Sequence, residues 1–326
     1  MKTVSRRRFL HLAASAAALP GTARLALAQS YPTRPVRLIS SFAAGGPNDL
    51  LARLIGQWLS ERLGQPFIID NRPGAGGTIG TEVAAKAPPD GYTLLLVAPA
   101  NVVNVTLYDK LSFNFMRDIA PVGGLTRVPN VMEVNPAFPA RTVAEFIAYA
   151  KANPGTINMA SGGNGSAAHV CGELFKIMTG IEMVHVAYRG LGPALTDLLA
   201  GQVQVIFDSV PNSIGHIRAG RLRALGTTTA TRLEALPDIP TVGETVAGYE
   251  ASALAGLGAP RNTPAEIVAT INRELNAGLA DPKMRARLAD LGGTPIPGSP
   301  GDYGTLLAAE IEKWGNVIRS ANIRLE

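Results

Sequence analysis

Short apolar runs that alternate with helical patterns constrain this fold more than any other feature of the sequence. The run Val36–Phe42 stops at Gly45 and Gly46, and apolar residues then recur at helical spacing over residues 50–63. A second join of this kind follows residues 157–160. Strands that alternate with helices predict parallel sheets with both faces covered, so we expect an α/β protein.

Both joins have the composition of an anion-binding loop. They are the segments Phe42-Ala43-Ala44-Gly45-Gly46-Pro47-Asn48-Asp49 and Ala160-Ser161-Gly162-Gly163-Asn164-Gly165-Ser166. Backbone N–H groups in a first helical turn lack an intrahelical acceptor, and glycines let a ligand approach them. We therefore expect each loop to form half of an anion site.

The pattern of elements predicts two units, the first of them discontinuous. Residues 108–125 carry loop signals, Pro99-Ala100-Asn101 ends the third strand, and the pattern turns helical from Gly258. A terminal group of helices without strands would make a poor independent domain. We therefore expect these helices to return and cover the sheet of the first unit. The predicted domains are 29–130 with 257–326 and the intervening 131–256, joined by two crossings.

The N-terminus has the features of an export signal. Arg6-Arg7-Arg8-Phe9 precedes an apolar stretch, and Ala26-Leu27-Ala28 forms a cleavage site, which favours twin-arginine export and cleavage after Ala28. A transmembrane anchor is the alternative, but the apolar run is shorter than the roughly 20 residues that a span requires. We expect a periplasmic protein.

Removing the predicted signal changes the charge balance. The chain has 30 basic and 25 acidic residues, and residues 1–28 hold five basic residues and no acidic one, which leaves 25 of each. A balanced charge gives no support for nucleic-acid binding.

The sequence lacks the usual local signatures of catalysis and cofactor binding. No Walker A run or nucleophile elbow occurs, the histidines stand outside metal-ligand motifs, and the lone Cys171 is expected to pack as a small hydrophobe. The glycines at 74, 76 and 77 miss dinucleotide spacing because the last glycine comes late, at Gly80; they suggest a structural turn or a cleft rim. We expect no metal, no cofactor and no enzymatic activity, although a triad of distant residues stays open.

A few side chains beside the predicted loops have two interpretations each. His169 could reach a bound carboxylate or hydrogen-bond locally at its helix start. Arg189 could clamp an acid or be solvated, and Tyr188 could form a cleft wall. Asp208 could accept from a ligand or cap the following helix.

Several motifs together resemble the receptors of tripartite tricarboxylate transporters, the Bug or TctC family. The match covers nearly the whole mature chain and consists of Phe42-Ala43-Ala44-Gly45-Gly46 with Asp49, Asn71-Arg72-Pro73-Gly74-Ala75-Gly76-Gly77, Asp90-Gly91-Tyr92, Ser161 to Ser166, Gly172-Glu173-Leu174-Phe175, Tyr188-Arg189-Gly190, Asp238-Ile239-Pro240-Thr241 and Ala259-Pro260. Ser41 and Ala187 stand where the family commonly has proline. These two departures affect the exact shapes of the loops, and hence which ligand is bound.

The resemblance implies a two-lobe periplasmic-binding-protein fold of type II-like architecture, each lobe a mainly parallel sheet flanked by helices. It implies a monomeric receptor that closes on a small organic acid, mono- or dicarboxylate and possibly aromatic, and delivers it to integral membrane permease subunits. Signalling to a membrane sensor kinase and an exported enzyme are the alternatives. The ligand-binding positions that it implies are Phe42, Ala43, Ala44, Gly45, Gly46, Asn48, Ser161, Gly162, Gly163, Asn164, Gly165 and Ser166, with Ala100, Asn101, His169, Tyr188 and Asp208 as weaker additions.

Overall fold

The computed structural model describes residues 31–108 and 110–324. The predicted export signal at residues 1–28 lies outside the described residues. The first half of the chain contains β1 (Val36–Ser40), α1 (Pro47–Leu63), β2 (Phe67–Asn71), α2 (Thr78–Ala85), β3 (Thr93–Val97), α3 (Pro99–Leu107), the four-residue α4 (Phe115–Asp118), β4 (Ile119–Val134) and α5 (Val143–Ala152).

The second half continues the alternation and ends in helices. It contains β5 (Asn158–Ser161), α6 (Ala167–Thr179), β6 (Val184–Ala187), α7 (Leu191–Leu199), β7 (Val205–Ser209), α8 (Val210–Arg218), β8 (Arg223–Thr227), β9 (Ser252–Pro260), α9 (Ala265–Ala280), α10 (Pro282–Asp290), β10 (Thr294–Pro295) and α11 (Pro300–Ser320).

The strands confirm a two-lobe α/β fold with a mixed sheet. Their order along the main path is β2-β1-β3-β9-β4-β7-β5-β6. Strands β1, β2 and β3 run parallel in one lobe, and β5, β6 and β7 run parallel in the other. The long β4 pairs antiparallel with β9 over residues 119–129 and with β7 over residues 130–134, so it passes from one lobe to the other. The predicted domain boundaries at 130/131 and 256/257 stay predictions.

The terminal helices return to the first lobe, and α11 also reaches the second. Ile271 and Leu275 of α9 share an apolar cluster with Leu38 and Leu257 of the first lobe. Trp314 of α11 belongs to a larger apolar cluster, which also contains Val97, Phe175, Phe207 and Tyr249. Burial of these faces gives the α11 helix a stabilising role between the lobes.

Capping residues in the sequence set the starts of two terminal helices. The Asp281 carboxylate accepts from the N–H groups of Lys283 and Met284, and Ser299 Oγ accepts from the N–H of Asp302. Thr263 precedes Pro264 in the same way, as a capping residue would, but it does not cap α9: its hydroxyl donates to the Pro260 carbonyl and α9 begins after Pro264.

Two stretches differ from the sequence prediction. The stretch expected to be loop-rich contains the start of β4, and β9 continues past the point at Gly258 where a helical pattern was expected. Glycines in these strands reflect close packing: a Cβ at Gly123 would lie 2.7 Å from Leu275, and one at Gly256 would lie 2.3 Å from Tyr303. Helix α3 was likewise missed after Pro99.

Candidate functional site

A cavity of about 240 Å³ lies where the N-terminal ends of three helices meet strand β9 and helix α11. Its volume is about that of eight liquid waters, which suits a small molecule. The lining residues are Phe42, Asn48, Pro99, Ala100, Val102, Val103, Gly165, Ser166, Ala167, Val170, Cys171, Ser252, Ala253, Leu254, Glu310 and Trp314.

First-turn residues of α1, α3 and α6 converge on this cavity. Asn48 and Ala100 each follow a proline at the first helical position, and Ala167 is itself the first residue of α6. Among the described residues, the backbone N–H groups of these three residues have no hydrogen-bond acceptor. Helix N-termini carry partial positive charge, so the convergence can hold an anion.

The first glycine loop is held in place by the buried Asp49. One carboxylate oxygen of Asp49 accepts from the Gly45 N–H and from Arg53 Nε, each at 2.9 Å, and the other accepts from Asn71 Nδ2 at 2.9 Å. Asn71 also donates to the Phe42 carbonyl at 3.0 Å. The Arg53 hydrogen bond, aided by Gly45 and Asn71, lowers the pKa of Asp49 to about 2 despite its burial. The Gly45 N–H is thus already bonded within the protein.

The predicted residues of this loop divide into two groups. Phe42 and Asn48 line the cavity, as does Ala100 at the start of α3. Ala43, Ala44 and Gly45 are exposed and, with the half-buried Gly46, lie outside the cavity wall. Asn101 is also outside the wall, because its side chain accepts from the Ala98 N–H and donates to Thr81 Oγ1, each at 2.6 Å.

The second glycine loop is braced by its own side chains. Ser161 Oγ accepts from the Gly163 N–H at 3.1 Å and contacts His185 Nε2 at 2.6 Å. Ser166 Oγ accepts from the His169 N–H and caps α6. Of the six predicted positions, Gly165 and Ser166 line the cavity, and Ser161, Gly162, Gly163 and Asn164 do not.

His169 supports the second loop from within. Its Nδ1 accepts from the Gly165 N–H at 3.1 Å, and its ring stacks on His185 with centroids 3.6 Å apart. Burial, with the nearby His185 and Lys176, lowers the pKa of His169 to about 3. The structure therefore places a neutral His169 in local contacts, outside the cavity wall.

Tyr188 and Asp208 also lie outside the cavity wall. The Tyr188 hydroxyl donates to Asp197 Oδ2 at 2.6 Å, and burial together with this bond raises the Tyr188 pKa to about 12. Asp208 is fully buried and accepts from the Ser209 N–H at 2.6 Å and from Ser213 Oγ at 3.3 Å. These contacts are local to the start of α8, but Ser209 is the N-cap residue and no N–H within the helix donates to a side-chain cap, so the expected helix cap at Asp208 was wrong. Arg189 is exposed.

Much of the cavity wall carries no sequence motif. Val102, Val103 and Val170 belong to ordinary helical patterns, and Glu310 and Trp314 come from the distant α11. Cys171 packs as predicted, with its thiol accepting from Asn130 Nδ2 at 3.2 Å, and burial raises its pKa to about 12. Ala167 adjoins the predicted loop and could have been found by extending that loop one residue into α6.

A cluster of charges lies behind the wall, where β4, β9 and α11 meet. Arg127 Nη1 lies 3.0 Å from Glu250 and 3.4 Å from Glu310, and Lys313 Nζ lies 3.0 Å from each of the same carboxylates. Trp314 Nε1 donates to the second oxygen of Glu310 at 2.7 Å. Two cations and two anions therefore share one hydrogen-bonded cluster, and of these four side chains Glu310 alone lines the cavity.

The described residues contain neither a metal-binding cluster nor a membrane-spanning helix. No group of three or more histidine, cysteine, aspartate or glutamate side chains suited to a metal ion occurs within residues 31–108 and 110–324. Over the same part of the chain, no helix combines the length and apolarity needed to cross a bilayer.

Comparison with known proteins identifies a family. The family model described as tripartite tricarboxylate transporter family receptor matches residues 51–323. Protein BugT of Bordetella pertussis is 36% identical over 314 residues, which cover 95% of this chain and 96% of BugT. A UPF0065 protein from the tcbD-tcbE intergenic region of Pseudomonas sp. strain P51 is 35% identical, over 98% of this chain and 95% of its own length.

Solved structures agree with this assignment. R. palustris Rpa4515 with adipate has a TM-score of 0.78 at 40% identity, covering 90% of this chain and 99% of its own. MatC from Rhodopseudomonas palustris with bound malate has a TM-score of 0.73 at 34% identity, covering 88% and 100%. The predicted resemblance to Bug and TctC receptors is confirmed.

Proposed function

The chain belongs to the tripartite tricarboxylate transporter receptor family, and on that premise we propose that it captures a small organic carboxylate between its two lobes. It then delivers the acid to integral membrane permease subunits. The relatives solved with adipate and with malate support a carboxylate as the ligand class.

The observation that carries this proposal is the convergence of three helix N-termini on one cavity. Asn48 and Ala100 come from the first lobe and Ala167 from the second, and all three are first-turn residues that line the cavity and whose N–H groups have no acceptor among the described residues. A carboxylate oxygen bound there gains hydrogen bonds from both lobes, so binding favours the closed arrangement.

The energies are sufficient without a charged side chain. A micromolar ligand requires about 8 kcal/mol. Hydrogen bonds to a charged group contribute roughly 1.5 to 3 kcal/mol each before the cost of association. The three first-turn N–H groups contribute roughly 4.5 to 9 kcal/mol on this scale, and burial of the ligand's apolar body against the wall supplies the remainder and offsets the cost of association.

Lobe closure is proposed to occur about the two crossings. The lobes in this proposal are residues 29–130 with 257–326 and residues 131–256, and β4 and β9 connect them. Hinge motion at a pair of connecting strands is a common way for two-lobe receptors to enclose a ligand. We further propose that the receptor acts as a monomer, without catalysis, in the periplasm after export and removal of residues 1–28.

A thermal-shift screen of purified mature protein tests the ligand class. Mono- and dicarboxylic acids, aromatic acids included, are compared with sugars and divalent cations at equal concentration. An acid at 100 times its Kd should stabilise the folded state by about 2.7 kcal/mol, which gives a concentration-dependent rise in Tm. A positive result for a sugar or a cation, with every acid inactive, would refute the carboxylate proposal.

A further inference from the structure

We infer that Glu310 makes the cavity selective for acids that carry a single carboxylate on an apolar body. This inference rests on the proposed function and narrows it, since the receptor class alone allows mono- and dicarboxylates. The relatives solved with adipate and malate hold dicarboxylates, so the inference separates this chain from them.

The charges of the lining residues favour one anionic group only. Among the described residues that line the cavity there is no lysine, arginine or histidine, and Glu310 is the one carboxylic acid. The remaining polar side chains of the wall are those of Asn48, Ser166, Ser252 and Cys171. Carboxylate recognition therefore depends on the helix N-termini, and nothing cationic in the wall receives a second carboxylate.

Glu310 is held as a carboxylate by groups that can only donate. One oxygen accepts from Lys313 Nζ at 3.0 Å and from Arg127 Nη1 at 3.4 Å, and the other accepts from Trp314 Nε1 at 2.7 Å. Ammonium, guanidinium and indole nitrogens offer no acceptor, so both Glu310 oxygens must be acceptors. Its side chain is only 5% exposed, which keeps water from screening the charge fully.

The two cations of the cluster are not available to a ligand. Arg127 and Lys313 each bond to both Glu250 and Glu310, and neither lines the cavity. A ligand anion entering the cavity would have to compete with two carboxylates for them. These cations offset part of the Glu310 charge without providing a site of their own.

A second carboxylate that is enclosed in the cavity together with the rest of the ligand lies close to Glu310. A sphere of 240 Å³ is about 8 Å across, so any group inside lies within roughly that distance of the wall. At about 8 Å and an effective dielectric near 20, repulsion between two like charges weakens binding by up to about thirtyfold, and the neighbouring cations reduce this effect. Hydrocarbon, by contrast, meets Val102, Val103, Leu254 and Trp314.

Matched acid pairs test this selectivity in the unmodified mature protein. Isothermal titration compares hexanoate with adipate and benzoate with terephthalate, so that each pair differs only in the second carboxylate. We expect the monoacid to bind about tenfold more tightly in a pair that binds. Equal or tighter binding of the diacid overturns the inference while leaving the proposed function intact. Failure of all acids in the wider screen overturns both.

Two variants assign the selectivity to Glu310. Glu310→Gln removes the charge at the wall and should raise the diacid-to-monoacid affinity ratio by about tenfold. Glu250→Gln removes one carboxylate from the same cluster but away from the wall, and should leave that ratio within about threefold of the unmodified protein. Unfolding curves confirm that each variant is folded. An unchanged diacid-to-monoacid affinity ratio in folded Glu310→Gln contradicts the assignment, as does an equal change in both variants. If either variant fails to fold, the matched acid pairs in the unmodified protein still test the selectivity.

Discussion

Replacement of Asp49 by asparagine should destabilise the protein by about 1 to 1.5 kcal/mol at pH 7. The Asp49 side chain is 3% exposed, and its two oxygens accept from Gly45, Arg53 and Asn71. Asparagine has the same shape but replaces one acceptor with an NH₂ group, which must face at least one of these donors. The first glycine loop would lose part of its anchor.

The magnitude follows from the pKa of Asp49 and the exposure of its partner. The pKa falls from 3.8 to about 2, and each pKa unit corresponds to about 1.4 kcal/mol, which sets an upper bound near 2.5 kcal/mol. Arg53 is 54% exposed, so solvent screens the largest contribution and roughly halves the bound.

The sign of the pH dependence is determined by the lowered pKa. The folded state holds the Asp49 proton less tightly than the unfolded chain does. The stabilisation is therefore complete above about pH 4 and is lost as the pH falls towards about 2. The asparagine variant cannot titrate, so its deficit relative to the unmodified protein should shrink over that window.

Urea unfolding between pH 7 and pH 3 measures both effects, with Glu244→Gln as the matched control. Glu244 also has a pKa lowered to about 2 by an arginine, Arg232, but its side chain is 44% exposed. Surface pairs contribute little, so the control should show no measurable change. Equal losses in both variants, or an Asp49→Asn deficit that does not shrink with falling pH, would refute the reasoning.

Three further predictions concern the loops and the cavity wall. Gly45→Asp should weaken acid binding in titration more than Gly45→Asn does, because both share the strain of a φ of +84° while only aspartate adds charge near the site. In the unmodified protein the free energy of unfolding should fall as the pH is lowered from about 6.5 to about 3, because His169 takes up a proton in the unfolded chain but not in its buried position. His169→Gln should make this fall less steep. Cys171, which is buried with its pKa raised to about 12, should react with a thiol reagent at pH 8 only after denaturant is added.

Each of these predictions has a contrary outcome. Equal acid affinities of the two Gly45 variants would show that charge at the first loop does not affect binding of the acid. An unchanged pH slope in His169→Gln would mean that His169 is not the titrating group. Rapid labelling of native Cys171 would mean that the cavity wall opens readily to solvent.

The order of elements was largely readable from local patterns. Helix α1 ends before Gly64 with φ of +73°, and α11 begins after Ser299, as expected from residues whose conformational preferences act over a few positions. Strands β4 and β9 were misread because glycine and proline usually mark loops. In these strands the glycines leave room for Leu275 and Tyr303, which lie far away in the chain.

The candidate site shows the same division. Phe42, Asn48, Gly165 and Ser166 were predicted and line the cavity, because a strand that ends in a loop before a helix is a local arrangement with a local signature. Ala100 also lines the cavity, but it was named only through the family resemblance, since the patterns did not predict α3. His169 had two possible roles in the sequence. Its contact with Gly165 and its stacking on His185 are tertiary contacts that no spacing rule reveals.

The sequence by itself determined the alternation of strands and helices, two of the three helix starts that line the cavity, and the family. These properties depend on hydrophobic periodicity and on backbone preferences within a few residues. Only the tertiary structure decided that three helix starts meet at one cavity and that α11 brings Glu310 and Trp314 to its wall. Residues two hundred positions apart meet through burial of apolar faces, which any hydrophobic residue of suitable size can satisfy, so their meeting leaves no motif in the chain.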